Sequence, residues 1–469
     1  MKVTLINPPI TPQERYGSVV KEGGGKQAPL GICYIAAVLK KNNIPVSIID
    51  AEAENLTYNT IIKRLKAFEC NIVGITSTTV AFHRALELAK RIKVFNKNIF
   101  VVIGGPHVSA MPNITLRFNC FDIGIIGEAE YTFLEVVQAF SNNKDYTKIE
   151  GIIFRHQGKV IRTKPRKRIE NLDELPFPAR ELLPDKNLYN PPPMNYLKKP
   201  VLSIVTSRGC PNQCTFCDHG VFGYKFRAHS AKRVLDEIEY LIKKYDAKEI
   251  SIVDDTFTVD KNRVFEFCRL LKKRNIKIQW NARISENTIT KEMLKVMHDA
   301  GCWYLEIGVE TGSSRVLKDI RKETTLEKIK ESVEYANKIG FIVKGFFIIG
   351  HPTDTMESIK QTIRFAKELA LTDIVATIFT PFPNTYAYIQ SKQHGKFIYE
   401  QDWTKFNTWE VVFVPNGLTK QQLKKYWKTM YREFYFRPII IWRHLKQIKD
   451  WTAIKRYIRG AKVVLKTLF

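Results

Sequence analysis

Short apolar runs alternate with amphipathic segments through the first part of the chain. Five runs rich in Val and Ile cover residues 3–6, 46–49, 72–76, 99–103 and 123–126. Helical patterns lie between them, most clearly at residues 29–40 and 84–93. Unbroken apolar runs of this length, separated by helices, are typical of a parallel sheet covered on both faces. The pattern predicts a doubly wound, Rossmann-like α/β domain over residues 1–145.

The pattern changes after residue 145. Two short apolar runs at residues 151–154 and 159–162 flank Gln157 and Gly158, which predicts a small β-hairpin. Residues 176–200 then contain seven prolines. Because proline at this density excludes helices and central strands, we expect residues 146–200 to form the hairpin and an extended linker.

A second alternating series begins at residue 201. Its six strand candidates cover residues 202–206, 250–253, 278–282, 304–309, 343–348 and 374–379, and residues 230–244 and 328–338 are the clearest helices between them. Six βα units predict a partial (β/α)6 barrel over residues 201–390, with chemistry at the carboxyl ends of its strands. We expect residues 391–469 to be a helical region, because they lack this alternation and are rich in basic and aromatic residues.

Composition is that of a soluble, folded protein. Of the 469 residues, 44% are hydrophobic and 26% charged, and no apolar run approaches the ~20 residues that span a bilayer. The N-terminus lacks the pattern of a signal peptide, so we expect a cytoplasmic, reducing location. Three of the eight cysteines lie within eight residues, unlike a secreted disulfide framework. The other five, at positions 33, 70, 120, 268 and 302, read as small buried side chains.

The formal net charge of +27 is concentrated near the C-terminus. Residues 419–469 hold fourteen Lys and Arg against two acidic residues, and these bases are interleaved with Tyr426, Trp427, Tyr431, Phe434, Tyr435, Phe436, Trp442, Trp451 and Tyr457. The interpretation we favour is that the aromatic residues pack on the barrel and the bases form a solvated face. The alternatives are a helix in a lipid headgroup layer and a single-stranded nucleic-acid site.

The densest candidate for chemistry is a cysteine motif directly after the first barrel strand. Cys210, Cys214 and Cys217 have the spacing Cys-x3-Cys-x2-Cys. Three thiolates can hold three irons of a [4Fe–4S] cluster and leave the fourth iron open to a ligand. The alternative is a zinc site completed by His219. The position at the mouth of a barrel favours the iron–sulfur interpretation, because a structural zinc site needs no such location.

This motif, with an aromatic residue before its last cysteine and a partial barrel after it, resembles the radical S-adenosylmethionine (SAM) superfamily. The resemblance implies that Cys210, Cys214 and Cys217 bind the cluster and that the open iron chelates SAM. In that family, one electron from the reduced cluster cleaves SAM to a 5′-deoxyadenosyl radical. Phe216 is then expected to shield the cluster or to contact the adenine.

Later strand ends also match this family. Asp254 and Asp255 follow the second strand, where the family contacts the methionine amino group, although such a pair is often a helix cap. Arg283 ends the third strand and is a candidate partner for the methionine carboxylate, the alternative being an ordinary surface arginine.

The fourth and fifth strands add four candidates. Tyr304 and Glu310 lie on strand four and are the candidate catalytic residues, with Glu310 reaching the ribose or the substrate. Glu306 lies within the same strand, where a buried carboxylate needs a partner. Gly350 belongs to a segment that resembles the part of the family's fifth strand beside the adenine.

A parallel-sheet domain ahead of such a barrel resembles the cobalamin-binding subclass. The loops after its strands supply the candidate cobalamin contacts Asn7, Pro8, Thr76, Ser77, Thr78, Gly104, Gly105, His107, Gly127 and Glu128. Glycines allow close approach to a flat macrocycle, and hydroxyls suit a nucleotide tail. The motif that supplies an axial histidine in the wider fold is absent, so we expect no histidine on the lower face. The alternative is a domain without cofactor that only presents a surface.

Over its whole length the chain resembles members close to anaerobic magnesium-protoporphyrin monomethyl ester cyclase and the hopanoid-modifying proteins. Residues 175–180 and 431–435 carry this narrower match. It implies an enzyme that transfers a methyl group from methylcobalamin to a carbon of a lipid-like or other secondary metabolite. The alternatives are a tetrapyrrole-type cyclase or oxidoreductase that does not methylate, and a non-catalytic cobalamin or redox sensor.

The resemblance also suggests partners. We expect a lipid-like or tetrapyrrole substrate and an electron donor such as flavodoxin or ferredoxin. Among the binding roles of the C-terminal region, we prefer peripheral contact with the inner face of the membrane. We do not expect nucleic acid, because an RNA-modifying methylthiotransferase usually carries a second cysteine triad and a small β-domain, and neither is visible.

Overall fold

The computed structural model describes residues 1–20, 24–448 and 450–468. Lys449 and Phe469, which belong to the basic region predicted at residues 419–469, lie outside the described residues, as do residues 21–23. Within the described ranges, no helix is long and apolar enough to cross a membrane.

The N-terminal part is built on a seven-stranded sheet in the order β2-β1-β3-β4-β5-β6-β7. Its strands are β1 (Val3–Asn7), β2 (Val46–Asp50), β3 (Ile72–Thr76), β4 (Phe100–Gly104), β5 (Ile123–Ile125), β6 (Ile152–His156) and β7 (Lys159–Arg162). Its helices are α1 (Pro12–Val20), α2 (Leu30–Lys41), α3 (Tyr58–Ala67), α4 (Phe82–Phe95), α5 (Pro106–Ala110), α6 (Pro112–Thr115) and α7 (Glu130–Ser141). Strands β1 to β5 are parallel, whereas β6 and β7 are antiparallel additions.

Alternation along the parallel strands explains why both faces are covered. Leu5 packs in the core layer that includes α2 and α7, and the next residue, Ile6, packs in the layer that includes α3 and α4. All five predicted strands are present. The predicted hairpin pairs with β5, so the first sheet continues beyond residue 145, where we had placed the end of the domain.

The second half is a six-stranded, fully parallel sheet in the order β15-β14-β13-β12-β11-β8. Its strands are β8 (Val201–Ile204), β11 (Glu249–Ile252), β12 (Gln279–Ile284), β13 (Cys302–Glu310), β14 (Ile342–Ile349) and β15 (Asp373–Ile378), and β9 (Ser207–Arg208) pairs with β10 (Arg227–Ala228) in a separate ribbon. Its helices are α8 (Ala231–Tyr245), α9 (Lys261–Lys273), α10 (Lys291–Asp299), α11 (Ser314–Asp319), α12 (Leu326–Lys338) and α13 (Met356–Glu368). The predicted α/β fold class, with its six βα units, is confirmed.

We predicted a helical C-terminal region, but the structure also contains strands there. It contains an antiparallel ribbon of β16 (Gly395–Phe397) and β17 (Phe413–Pro415) beside α14 (Tyr386–His394), α15 (Lys420–Tyr435), α16 (Pro438–Leu445) and α17 (Trp451–Leu468). Helix α15 covers the free edge of β15, where the Trp427 indole donates to the carbonyl of Ala376 at 2.8 Å.

The aromatic residues of this region divide between two environments. Trp427, Tyr431 and Phe434 of α15 are buried, as the packing interpretation predicts. Trp442 and Trp451, by contrast, are 52% and 67% exposed. The packing interpretation therefore holds for α15 but does not account for α16 and α17.

Candidate functional site

The three cysteines lie on one loop at the carboxyl edge of the barrel sheet, between β9 and β10. Gly209 has φ +82°, and a Cβ there would collide with the carbonyl of Lys225, so only glycine fits the turn before Cys210. Further along the loop, the Thr215 amide donates to the carbonyl of Ile320 at 3.0 Å, and the Thr215 carbonyl accepts from Ala387 at 2.9 Å. The loop is thus fixed to the barrel on two sides.

The thiols of this loop differ in their surroundings. Burial raises the pKa of Cys210, whose Sγ lies 3.8 Å from the Thr256 hydroxyl. A hydrogen bond from Cys217 lowers the pKa of Cys214, and donating that bond raises the pKa of Cys217. Among the described residues, no three His, Cys, Asp or Glu side chains meet at the geometry of one metal ion. A four-iron cluster has a different requirement, because each thiolate binds a separate iron and the three need only surround a common volume.

His219, the fourth ligand of the zinc alternative, lines a small pocket together with Cys214 and Cys217. Its ring stacks on Tyr224 with centroids 3.9 Å apart. Phe216 is half-buried and lies 5.7 Å from the ring of His351. Phe216 belongs to the cysteine loop and packs toward the turn after β14, and its role in shielding a cluster or contacting the adenine stays a prediction.

The two aspartates after β11 have different environments. Asp254 is buried and accepts hydrogen bonds from the Thr206 amide and from the hydroxyls of Thr206 and Ser207. It thereby holds the start of the cysteine loop, and this corrects both the helix-cap alternative and the expectation that Asp254 faces a ligand. Asp255 lines a cavity, and burial followed by repulsion from Asp254 raises its pKa. Asp255 is the aspartate of the pair available to a ligand.

A buried carboxylate–lysine cluster follows β13. Glu310, with φ +65°, lies 3.6 Å from the Lys322 ammonium, which lies 4.0 Å from Glu286. Burial raises the pKa of Glu310. Neither carboxylate oxygen of Glu286 has a hydrogen-bond partner among the described residues. A Cβ at Gly308 would collide with Glu310, so the glycine makes room for this cluster.

A second polar network fills the barrel lumen. Arg283 donates to Glu306 at 3.0 Å, and Glu306 also accepts from Asn195 at 2.7 Å. The Asn195 amide oxygen accepts from both Tyr304 and Lys344. Tyr304, Glu306 and Arg283 were predicted from strand positions. The linker residue Asn195 was missed, because nothing in a proline-rich segment indicates that it enters a barrel.

Gly350 begins a turn at the end of β14. Its φ is +86°, and its amide donates to Asp354 at 2.8 Å, as does the His351 amide at 2.9 Å. Burial raises the pKa of Asp354 to about 6. The turn that we predicted beside the adenine is therefore held by one buried carboxyl group.

The carboxyl edge of the first sheet presents mainly backbone and hydroxyls. Thr76, Gly104, Gly105 and Gly127 line a cavity of about 400 Å³ that is closed on its other side by the cysteine-loop segment. Gly105 has φ +100°, and a Cβ there would lie 2.9 Å from the carbonyl of Ser77. Beyond its chain neighbours, a Cβ at Gly104 or Gly127 would have no protein atom closer than 3.8 Å, so side chains there would occupy the cavity. Their absence makes this edge a cradle, which fits a large flat cofactor.

The remaining candidates of this edge have varied positions. Asn7 donates to Asp50 at 2.8 Å and lines a second cavity with Thr78, whereas Pro8 and Ser77 are buried. His107 is fully buried, stacks on Phe82 at 4.1 Å and does not line either cavity. Its burial lowers its pKa to about 4. The expectation that His107 contacts a cofactor is therefore wrong for this structure.

Glu128, predicted as a cobalamin contact, lines the first cavity and also joins the two halves of the molecule. It pairs with Arg208 and Arg227 at 2.9 Å each, and Arg208 also pairs with Glu130 at 2.6 Å. All four side chains are buried. Two carboxylates of the first domain thus hold two guanidinium groups that flank the cysteine loop, a role that single positions in a sequence do not reveal.

A second cavity, of about 900 Å³, lies between the first sheet, the barrel lumen and the C-terminal helices. Its polar end includes Arg15, Glu52, Arg283, Glu306 and Lys344. Its other walls are largely apolar and come from α15 to α17, for example Tyr431, Ile441, Leu445 and Val464. Because Thr76 lines both cavities, they meet at the edge of the first sheet.

Comparison with known proteins agrees with this division of the chain. Residues 204–366 match the Radical SAM superfamily, and residues 17–137 match the B12 binding domain. An uncharacterized methyltransferase of Pyrococcus horikoshii is 36% identical over 98% of both chains. Anaerobic magnesium-protoporphyrin IX monomethyl ester cyclase of Rubrivivax gelatinosus is 26% identical over 100% of this chain and 83% of its own length.

A solved structure has the same fold. The radical SAM methyltransferase TsrM from Kitasatospora setae, with cobalamin and a [4Fe–4S] cluster bound, superposes with a TM-score of 0.72 at 15% identity over 99% of both chains. With the cysteine loop at a barrel mouth and the glycine cradle facing it, the chain belongs to the cobalamin-binding radical SAM enzymes.

Proposed function

We propose that this enzyme methylates an unactivated carbon of a lipid-like metabolite. The observation that carries the proposal is the cavity of about 900 Å³, which borders the cobalamin-domain edge at Thr76 and is walled by apolar side chains of the C-terminal helices. An apolar wall of this size suits a substrate with a large hydrocarbon part. The relative of Pyrococcus horikoshii supports methyl transfer, since it is described as a methyltransferase.

The cofactor positions follow from the same geometry. Cys210, Cys214 and Cys217 would hold the [4Fe–4S] cluster, and Asp255 and Glu310 are the carboxylates placed to bind polar groups of SAM. Thr76, Gly104 and Gly105 would hold cobalamin through backbone and hydroxyl contacts. When bound, these groups supply a 5′-deoxyadenosyl radical and a transferable methyl group. Lys322, 3.6 Å from Glu310, offsets part of the cost of burying this carboxylate at the site.

The residues of the barrel lumen have a separate task in this proposal. Arg283 uses its Nε to bind Glu306, and its side chain remains 42% exposed toward the cavity. Its terminal nitrogens are therefore placed to orient a polar group of the substrate. The apolar wall keeps water away from the carbon that reacts. An external electron donor, of the flavodoxin or ferredoxin kind, would supply the electron for the cluster.

The test is mass spectrometry of lipids and tetrapyrroles from a deletion strain and its complemented control. The proposal predicts a metabolite that is lighter by one CH2 unit in the deletion strain, because hydrogen stands where the methyl group was, and that regains this mass on complementation. The Rubrivivax gelatinosus relative raises the alternative of ring formation. A tetrapyrrole precursor that accumulates without a change in methylation would favour that alternative.

A further inference from the structure

The second cavity opens to the outside between the C-terminal helices. Phe436, Ile441, Leu445 and Leu465 line this cavity and are also 54%, 48%, 58% and 45% exposed. A side chain that both lines a cavity and contacts solvent lies at its mouth. The mouth of the cavity is therefore rimmed by large apolar side chains, which is costly in water.

Further apolar side chains surround this mouth. Ile439 and Trp442 on α16 and Trp451 and Ile458 on α17 are between 46% and 67% exposed. Together with the four residues of the mouth, they form what we call the rim surface. Scattered exposed apolar residues are ordinary on a protein, but a contiguous set around a cavity mouth indicates contact with an apolar phase or partner.

Basic side chains accompany the rim surface. Lys446, directly after α16, and Lys455, Arg459 and Lys462 on α17 are exposed. The Lys446 ammonium lies 3.4 Å from the centroid of the Trp442 ring. Tryptophan beside a base, with aliphatic residues around it, is the composition of a helix lying in the headgroup layer of an anionic membrane.

The shape of these helices fits a surface position rather than insertion across the bilayer. Helix α16 has eight residues and no described helix is able to span a membrane. Single-stranded nucleic acid would stack on aromatic rings, whereas the rim surface is mostly aliphatic. An anionic lipid bilayer is therefore the partner that its charge and its apolar side chains favour.

The cavity behind the mouth is polar at its far end. Arg15 and Glu52 form an ion pair there at 2.6 Å, and Arg283 and Lys344 enter from the barrel. The cavity thus changes from apolar at the mouth to charged near the cobalamin-domain edge. An amphiphile entering with its polar group first would match this order from one end to the other.

We propose that the rim surface docks on an anionic bilayer and that the cavity takes an amphiphilic substrate from the bilayer through this mouth. The inference rests on the proposed function only in taking this cavity as the substrate site. It assigns α16 and α17 two tasks, of which the outer face binds lipid headgroups and the inner face guides the hydrocarbon chain.

The docking step is tested by flotation of the reconstituted holoenzyme with vesicles of phosphatidylcholine, with and without phosphatidylserine. The wild type should float only with phosphatidylserine and should be released by high salt. The double variant Trp442→Ala/Trp451→Ala should bind about tenfold more weakly, because both rings leave the interface. The matched control Val94→Ala/Ile389→Ala, at positions 89% and 61% exposed elsewhere, should float like the wild type.

The entry step is tested with a fluorescent long-chain fatty acid as the probe. Val464→Trp, inside the cavity, should float like the wild type but bind little probe, whereas Val94→Trp, at an exposed position of the first domain away from the cavity, should bind it normally. Trp442→Ala/Trp451→Ala should bind the probe from solution normally and take it from anionic vesicles more slowly.

Three outcomes would overturn the proposal. These are vesicle uptake by the double tryptophan variant at the wild-type rate, probe binding by Val464→Trp at the wild-type level, and wild-type protein that binds a single-stranded oligonucleotide but does not float. Both assays measure binding alone. An enzyme that takes up the probe but forms no methylated product would therefore contradict the proposed function and leave the membrane entry route standing.

Discussion

The carboxyl edges of the two sheets face the same two cavities but present different chemistry. The barrel edge carries thiols and titratable side chains, including Asp255 and the buried Glu310–Lys322 pair. The first-sheet edge carries Thr76 and glycines at positions where a side chain would fill the cavity. Polar side chains at fixed positions favour a small charged ligand, whereas a cavity lined by glycines accommodates a large ligand by its shape. The two halves of one site are thus specialised for two different cofactors.

The largest expected effect is at the barrel edge. Replacing Cys210, Cys214 or Cys217 by Ala should abolish cluster assembly and 5′-deoxyadenosine formation, because each thiolate binds its own iron. Iron content, visible absorbance and product chromatography measure this after anaerobic reconstitution. His219→Ala is the control and should retain about four irons per chain. A single zinc ion that is lost in His219→Ala would contradict the iron–sulfur assignment.

The next largest effect is expected for the buried ion pairs that join the first domain to the barrel. Glu128→Gln leaves Arg208 and Arg227 with less than their full countercharge in a buried position, which typically costs about 3–5 kcal/mol. Urea unfolding measures the loss in free energy of unfolding. Glu170→Gln removes an exposed partner of Lys225 and should leave the unfolding curve unchanged. Equal curves for the Glu128 variant and the wild type would show that the buried cluster does not hold the halves together.

The third prediction concerns the glycine cradle at the edge of the first sheet, where a substitution adds a single methyl group. Gly105→Ala places a Cβ against the Ser77 backbone at a positive φ and should lower cobalamin affinity about tenfold, while iron content stays normal. Gly158→Ala has a similar φ of +75° but an open surrounding, so it separates backbone strain from loss of the cradle. Cobalamin retention after gel filtration is the measurement. Normal retention in the Gly105 variant would mean that cobalamin does not approach this glycine.

The last expected effect is a gradual dependence of stability on pH. The pKa of Asp354 is raised by burial from 3.8 to about 6, so the native state holds a proton that the unfolded state has lost. Its contribution to stability is therefore complete below about pH 4 and falls as pH rises through 6, by at most about 3 kcal/mol. Asp354→Asn should flatten this part of the stability curve. Unfolding of the cluster-free protein at several pH values measures it, and parallel curves for variant and wild type would contradict the shift.

The parts of the molecule that local patterns encode were predictable. The strands of both sheets follow from unbroken apolar runs, and the cysteine loop follows from spacing within eight residues. The roles of candidate residues whose partners lie far along the chain could not be predicted. Asp254 was predicted to face a ligand, but its oxygens accept hydrogen bonds from Thr206 and Ser207. Glu128 lines the first cavity, as its predicted role requires, but its ion pairs with Arg208 and Arg227 were not predicted. Asn195, Lys322 and Glu286 were missed for the same reason.

The C-terminal region shows a similar limit of pattern reading. Its aromatic residues alternate with bases throughout, yet α15 packs on β15 while Trp442 and Trp451 are exposed. The difference arises because α15 covers the free edge of the barrel sheet, whereas α16 and α17 border the second cavity. All three helices are rich in basic and aromatic residues, so composition alone does not predict which of them packs on the barrel.

The most direct test of the central claim follows the methyl group. Reconstituted holoenzyme would be incubated with S-adenosylmethionine deuterated in its methyl group, a reductant and an extract of the deletion strain, followed by mass spectrometry. Methyl transfer predicts that 5′-deoxyadenosine and a deuterium-labelled apolar product appear together, and that the Cys214→Ala variant forms neither. Formation of 5′-deoxyadenosine with a product that carries no label would contradict methylation and would assign the enzyme to cyclisation or oxidation.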